Sequence, residues 1–102
     1  MSTTIFEKNG SKLTVKPEGR RDTATSPVLE KEMQQYLDGV QELTMDFSNV
    51  EYISSGGLRV LLATEQLLEE WGGSMQLIHV NEYILEVFDM VGFMDVVTVV
   101  QE

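Results

Sequence analysis

The chain has 102 residues, 42% of them hydrophobic, which is enough for one domain with a single core. It has no cysteine and one histidine, which excludes a disulfide framework and argues against a transition-metal site, so we expect neither metal nor cofactor. Seventeen acidic residues against seven basic ones give a formal net charge of -10, which disfavours nucleic acid and anionic lipid as partners.

The sequence also bears on location. No apolar run approaches the ~20 residues that span a bilayer. The N-terminal Met-Ser-Thr-Thr lacks the basic and apolar parts of a secretory signal. We therefore expect a cytoplasmic protein without membrane insertion, folded as a single domain over residues 1–102. Nothing in the pattern predicts an oligomeric state.

The chain opens with a predicted β-hairpin. Two short strands, over residues 3–8 and 12–16, flank Asn9-Gly10, a pair that tolerates positive φ at both turn positions. In the second strand apolar and polar residues alternate, so one face is expected to be buried. We expect Pro17 and Gly19 to end that strand.

A first helix and a third strand follow. Ser26-Pro27 starts the helix, with serine as its cap and proline in the first turn, where a missing N–H costs nothing. Asp38-Gly39 is expected to end it. The predicted inward stripe is Leu29, Met33, Tyr36 and Leu37. The third strand is marked by Leu43, Met45 and Phe47.

The stretch from Asp46 to Trp71 predicts the end of a strand, a short turn and a long helix. The junction consists of Ser54, Ser55, Gly56 and Gly57. Serine is a preferred N-cap, and a serine at the positive end of a helix dipole suits phosphate or a partner's polar groups. The expected apolar face is Leu58, Val60, Leu61, Leu62, Leu67, Leu68 and Trp71, and Gly72-Gly73 ends the helix.

The second half predicts a strand, a helix and a strand. The fourth strand covers 74–79, and its near-continuous apolar character is typical of a buried parallel position. Asn81 caps the next helix, Gly92 ends it, and the last strand covers 96–100. The inward residues are Ile84, Leu85, Val87, Phe88 and Val91, with Met90 and Met94 covering the core. The order β-β-α-β-α-β-α-β predicts an α/β fold with a mixed, mainly parallel sheet.

The run from Asp46 to Leu62 resembles the signature of the STAS domain in its small bacterial anti-sigma factor antagonist form. That signature is roughly D-L-S-x-V-x-F-[IM]-D-S-[SA]-G-L-x-x-L. Ser55 falls on the family's phosphorylated serine. Two positions depart from the pattern, because Ser54 stands where the family has aspartate and Gly56 replaces serine or alanine.

Two further segments carry the resemblance across nearly the whole chain. Residues 19–25, G-R-R-D-T-A-T, resemble the family's G-x-[LI]-D-x-x-T/N segment. Residues 83–93 resemble its last helix and the exit from that helix. The resemblance implies a STAS-like single domain.

The resemblance implies an anti-sigma factor antagonist, which sequesters its partner when Ser55 is unphosphorylated. The partner would be an anti-sigma factor and serine kinase of the histidine-kinase-like ATPase type, and a serine phosphatase would reverse the modification. Ser54 is the alternative phosphorylation site. The expected partner-binding residues are Asp22, Ser54, Ser55, Gly56, Gly57 and Arg59.

Other interpretations stay open. The two departures leave room for a non-phosphorylated STAS subunit of a larger assembly, such as a transporter-associated complex. An enzyme is not expected, because no acid, base and nucleophile are gathered in the sequence. Arg20 and Arg21 suit either local salt bridges or a phosphate.

Overall fold

The computed structural model describes residues 4–21 and 26–100. The strands are β1 (Thr4–Asn9), β2 (Lys12–Arg21), β3 (Glu42–Asp46), β4 (Asn49–Ile53), β5 (Ser74–Ile78) and β6 (Thr98–Val100). The helices are α1 (Ser26–Gln34), α2 (Ser55–Glu70) and α3 (Glu82–Met90), and a 3-10 turn covers Phe93–Asp95.

The six strands form a mixed sheet of order β1-β2-β3-β5-β6, with β4 paired to the far end of β2. Only the β1–β2 pair is antiparallel among the pairings of the described strands. This confirms the mixed, mainly parallel sheet. Because β4 and β5 both run parallel to β2 and β3, α2 and α3 begin at the same, carboxyl edge of the sheet.

Strand β2 is longer than expected, because Pro17 and Gly19 do not end it. Its first residues, from Lys12, pair with β3, and its last, Glu18 to Arg21, pair with β4, with a register shift after Gly19. A strand tolerates proline where the ladder does not need its N–H. Pro17 lies between the part of β2 that pairs with β3 and the part that pairs with β4.

Strand β4 is an element that sequence reasoning missed. The expected third strand is divided after Asp46, whose carboxylate accepts the Ser48 N–H at 3.0 Å. The chain turns there, with the Val50 N–H donating to the Phe47 carbonyl at 3.0 Å. The alternation of apolar and polar residues over residues 49–51 is a usable sign of this strand, although the same residues also lead directly into the serine loop.

The core lies between the sheet and the helices. The predicted core residues Met33, Met45, Leu61 and Phe88 are buried, as is Met75 of β5. The largest fully buried side chains are Phe47, Phe88, Leu13, Met33, Leu43, Met45, Leu61, Leu68, Leu77 and Ile84.

Some of the predicted core residues are exposed because they lie at or beyond the helix ends. Trp71 and Val91 are the C-caps of α2 and α3, and these residues are 44% and 59% exposed. Met90, in the last helical position of α3, is 83% exposed, whereas Met94 packs against the core. Helix α1 stops before Tyr36, which stacks on Phe6 instead.

The ends of two strands also differ from expectation. β5 stops at Ile78 because His79 takes the left-handed conformation, with φ of 58°. β6 begins at Thr98 rather than at residue 96, since the 3-10 turn occupies the approach to it and Val97 is turned into the core.

The C-terminus of α2 is closed by a paired-glycine turn. Gly72 has φ of 76°, and its N–H donates to the Glu69 carbonyl at 3.1 Å while the Gly73 N–H reaches Leu68 at 2.8 Å. Gly73 lies against the backbone of Gln41, whose carbonyl accepts the Ser74 N–H at 2.8 Å. A Cβ at residue 73 would stand 2.6 Å from that carbonyl oxygen.

Among residues 4–21 and 26–100, no helix has the length and apolar character needed to cross a bilayer.

Candidate functional site

Ser54 is the N-cap of α2. Its backbone is extended, and its hydroxyl oxygen accepts the Gly57 N–H at 3.4 Å. The first regular helical bond follows, from the Leu58 N–H to the Ser54 carbonyl at 3.0 Å. The side chain of Ser54 thus satisfies one of the donors that a helix start leaves unpaired, and of the two junction serines it is Ser54 that caps α2.

Ser55 occupies the first helical position of α2 and is exposed, as predicted. The two glycines after it, Gly56 and Gly57, are buried. Arg59 lies four positions after Ser55, so it shares a helix face with it, and it is also exposed. A hydroxyl, a helix N-terminus and a cation therefore lie together on one surface.

Asp22, another predicted partner-binding residue, lies outside the described residues. The strand that leads to it can be placed, because Arg21 at the end of β2 pairs with Ile53 at the end of β4. The segments that precede Asp22 and Ser54 in sequence are therefore direct neighbours in the sheet. The structure thereby brings together Ser54, Ser55, Gly56, Gly57 and Arg59.

The N-terminus of α3 lies next to the same ribbon of sheet. The side-chain oxygen of Asn81 accepts the Ile84 N–H at 2.8 Å, which confirms the predicted cap. Its amide nitrogen donates to the carbonyls of Val50 and Glu51 at 3.1 and 3.3 Å. One side chain therefore caps α3 and ties it to β4, and sequence reasoning found only the first of these roles.

A polar pair that sequence reasoning missed joins β3 to the end of β5. His79 Nδ1 lies 3.0 Å from Asp46 Oδ1, and the Ser48 N–H reaches the same oxygen at 3.0 Å. Partial burial acts to raise the pKa of Asp46, but the hydrogen bonds from His79 and Ser48 and the charge of His79 outweigh it. The pKa of Asp46 is therefore below its ordinary value.

Sequence position gave one usable sign of this pair. Both residues end neighbouring predicted strands, and carboxyl ends of adjacent parallel strands meet at one edge. The pairing order β3-β5, which the sequence does not state, was needed to use it.

A family model described as "Mlab, STAS domain" matches residues 5–100. The chain belongs to the STAS domain family. The curated anti-sigma-B factor antagonist of Bacillus subtilis is 26% identical to this STAS chain over 93 residues, which are 91% of this chain and 85% of that protein.

Two solved structures show the same fold. A crystal structure of an anti-sigma factor antagonist from Mycobacterium paratuberculosis superposes with a TM-score of 0.87 at 24% identity, covering 100% of this chain and 87% of that one. The structure of the Bacillus cell fate determinant SpoIIAA in its phosphorylated form superposes with a TM-score of 0.75 at 16% identity. The match covers 98% of this chain and 93% of that one. Two of these three relatives are named as antagonists of an anti-sigma factor, and the likeness extends along nearly all of this chain.

Proposed function

We propose that this STAS protein is an anti-sigma factor antagonist whose binding is switched by phosphorylation of Ser55. The observation that carries the proposal is the exposed position of Ser55 at the start of α2, beside a serine already used as the cap. The resemblance of residues 46–62 to the family signature, in which Ser55 falls on the phosphorylated serine, supports this proposal.

The geometry favours Ser55 over Ser54 as the modified residue. The Ser54 oxygen accepts the Gly57 N–H, so a phosphate on it would displace the cap. Ser55 follows the cap residue, and its hydroxyl has no such role in the cap. A phosphate there would add about -1.5 to -2 charges next to a helix N-terminus, where negative charge is favourable.

The switch therefore acts on the interface and leaves the fold in place. A partner that covers α2 would have to desolvate the phosphate dianion, which opposes binding unless a counterion is supplied. The solved structure of phosphorylated SpoIIAA supports this, since a phosphorylated protein retains the fold of this chain.

The Ser54 departure from the family pattern is consistent with the same function. Aspartate and serine are both preferred N-caps, and Ser54 performs the capping role that an aspartate at this position could perform. What changes is one negative charge beside Ser55. We infer that the partner kinase recognises this site without that charge.

The proposed partner is an anti-sigma factor that is also a serine kinase of the histidine-kinase-like ATPase type. A serine phosphatase would restore the unmodified form, and the setting would be the cytoplasm. The Bacillus subtilis relative, named as an antagonist of an anti-sigma factor, supports a protein partner of this class.

The test uses three matched variants, Ser55→Ala, Ser55→Asp and Ser54→Ala. The unmodified protein is first used to capture its partner from the native host, and that partner is then purified. With labelled ATP, wild type and Ser54→Ala should accept phosphate and Ser55→Ala should not. Labelling that disappears in Ser54→Ala and persists in Ser55→Ala would move the switch to Ser54.

A second candidate is a non-phosphorylated STAS subunit of a larger assembly, such as a transporter-associated complex. It is favoured by Gly56, which replaces the usual serine or alanine next to Ser55. A stable complex in which neither serine is ever labelled, with Ser55→Asp binding as well as wild type, would support this candidate and contradict the first.

A further inference from the structure

Two tyrosines form an aromatic pair beside the serine site. The rings of Tyr52 on β4 and Tyr83 on α3 have centroids 6.0 Å apart and planes inclined by 29°. Tyr52 is three residues before Ser55, so their Cα atoms are at most ~11 Å apart. The Asn81 contacts with Val50 and Glu51 hold α3 on β4. The pair is therefore fixed in place next to the start of α2.

The Tyr83 side of the pair faces outward. Tyr83 is 52% exposed, although a tyrosine ring carries enough apolar area to favour burial. Aromatic side chains in this state are enriched at the centres of protein interfaces. Tyr83 therefore presents an exposed aromatic surface to a partner.

The charge around the pair points to the kind of occupant. Glu82 and Glu86 are exposed on α3, and Glu86 lies one turn from Tyr83 on the same helix face. Helix α3 has three acidic residues, Glu82, Glu86 and Asp89, and neither lysine nor arginine. The helix face that carries Tyr83 is thus complementary to a cation.

We propose that the Tyr52–Tyr83 pair, with Glu82 and Glu86, receives an arginine side chain of the anti-sigma partner. A guanidinium is planar, stacks on an aromatic face and bonds carboxylates through a fixed fork of N–H donors. Lysine offers a point charge without the planar contact. The inference rests on the proposed function for the identity of the partner, but the arginine preference can be tested without it.

The molecule contains a matched control for this pair. Phe6 and Tyr36 also stack, with centroids 4.4 Å apart and planes inclined by 9°, and Tyr36 is 37% exposed. That pair joins β1 to the segment after α1, on elements that do not include the serine site. Tyr36→Ala therefore removes an exposed stacked tyrosine without touching the proposed surface.

The first experiment needs no partner. A short glycine–arginine peptide and its glycine–lysine twin are titrated into the full chain, and the tyrosine ring resonances are followed by NMR. We expect the arginine peptide to bind about two- to fivefold tighter than the lysine peptide. Tyr83→Ala should remove that difference, and Tyr83→Phe and Tyr36→Ala should keep it.

Three results would overturn the proposal: equal affinity for the two peptides, an unchanged preference in Tyr83→Ala, or the same loss in Tyr36→Ala. Far-UV circular dichroism shows whether each variant is folded. If Tyr83→Ala is not folded, Tyr83→Ser and Glu86→Gln replace it, and their failure to lower the arginine preference would also overturn the proposal.

The second experiment separates this inference from the proposed function. With the captured partner, Tyr83→Ala should weaken binding about threefold or more, while Tyr36→Ala binds as wild type does. If Ser55→Asp weakens binding and Tyr83→Ala does not, the switch stands and the arginine site fails. If Ser55→Asp binds as wild type and Tyr83→Ala does not, the phosphorylation switch fails and the docking surface stands.

Discussion

Helices α2 and α3 start in the same manner and differ in how much of the start is left available to a partner. Each follows a parallel strand and has a side-chain cap, from Ser54 at 3.4 Å and from Asn81 at 2.8 Å. Asn81 also donates to two carbonyls of β4. Ser54 is followed by an exposed hydroxyl at Ser55.

The difference shows how one helix start of a small domain can change its surface charge while the start of the neighbouring helix stays fixed. At α3 the capping side chain of Asn81 also joins the helix to β4, so a substitution of Asn81 would remove both interactions. At α2 the capping hydrogen bond is longer, and the next residue, Ser55, has no role in the cap. A modification at Ser55 therefore changes charge at one helix start while the neighbouring start keeps its position.

The largest expected effect comes from truncating one buried side chain in each of the two helices. Phe88 of α3 is fully buried and its ring centroid lies 4.8 Å from that of Phe93. Phe88→Ala should lower the free energy of unfolding by about 3–5 kcal/mol, and Leu61→Ala in α2 by about 2–5 kcal/mol. Denaturant melts measure both. Val91→Ala, at an exposed position, should change stability by less than about 0.5 kcal/mol.

If both core variants lose less than ~1 kcal/mol in free energy of unfolding, these side chains do not stabilise the packing of the two helices as proposed.

The next effect concerns binding at the open helix start. Ser55→Asp should weaken partner binding by roughly 2 kcal/mol or more, because a carboxylate would be desolvated against the partner without a counterion. Ser55→Ala should bind as wild type does. Titration calorimetry with the captured partner measures both. Melting temperatures should stay close to wild type, since a carboxylate in the first turn is favourable to the helix dipole.

If Ser55→Ala loses as much affinity as Ser55→Asp, the hydroxyl itself is a required contact and charge is not the cause.

The two caps themselves give the third effect. Asn81→Ala should destabilise the protein by about 1–2 kcal/mol, and Ser54→Ala by about 0.5–1 kcal/mol, because only Asn81 also fastens its helix to β4. Asn81→Ser keeps a capping oxygen and loses the amide, so it should recover part of the loss. Thermal or denaturant unfolding gives the values. An equal loss for both alanine variants would contradict the comparison.

The smallest effect is a dependence on acid at the Asp46–His79 pair, behind the two helix starts. A lowered pKa means that Asp46 stabilises the folded state above the ordinary carboxyl range and that this contribution is lost as pH falls toward the folded-state pKa. Stability of wild type should therefore fall below about pH 4 more steeply than that of Asp46→Asn. Parallel curves for the two proteins would show that Asp46 contributes nothing.

Local sequence patterns were sufficient to predict where the helices start, but they did not predict the contact between the start of α3 and β4. Capping depends on a serine or asparagine and the next three residues, so a serine cap at the start of α2 and the Asn81 cap of α3 could be predicted. The ties from Asn81 to Val50 and Glu51 join segments about 30 residues apart. No local pattern specifies which carbonyl lies opposite an amide.

The same reason explains the errors in the fold. Pro17 is a strand breaker by local chemistry, but its missing N–H matters only once the partners of β2 are known. Trp71 and Val91 continue an apolar stripe in sequence and are exposed because each helix ends one residue earlier. Phosphorylation at Ser55 and a role for Asp22 remain predictions.

The close approach of Gly73 to Gln41 links two positions in the evolution of this chain. A side chain at residue 73 would bring its first carbon to 2.6 Å from a backbone oxygen, and backbone cannot rotate aside as a side chain can. A descendant that lost Gly73 would have to remake the connection of residues 35–41 at the same time. Substitutions of Gly73 and changes in the segment 35–41 should therefore be inherited together. The surface around Ser55 has no such constraint from this contact and can vary independently.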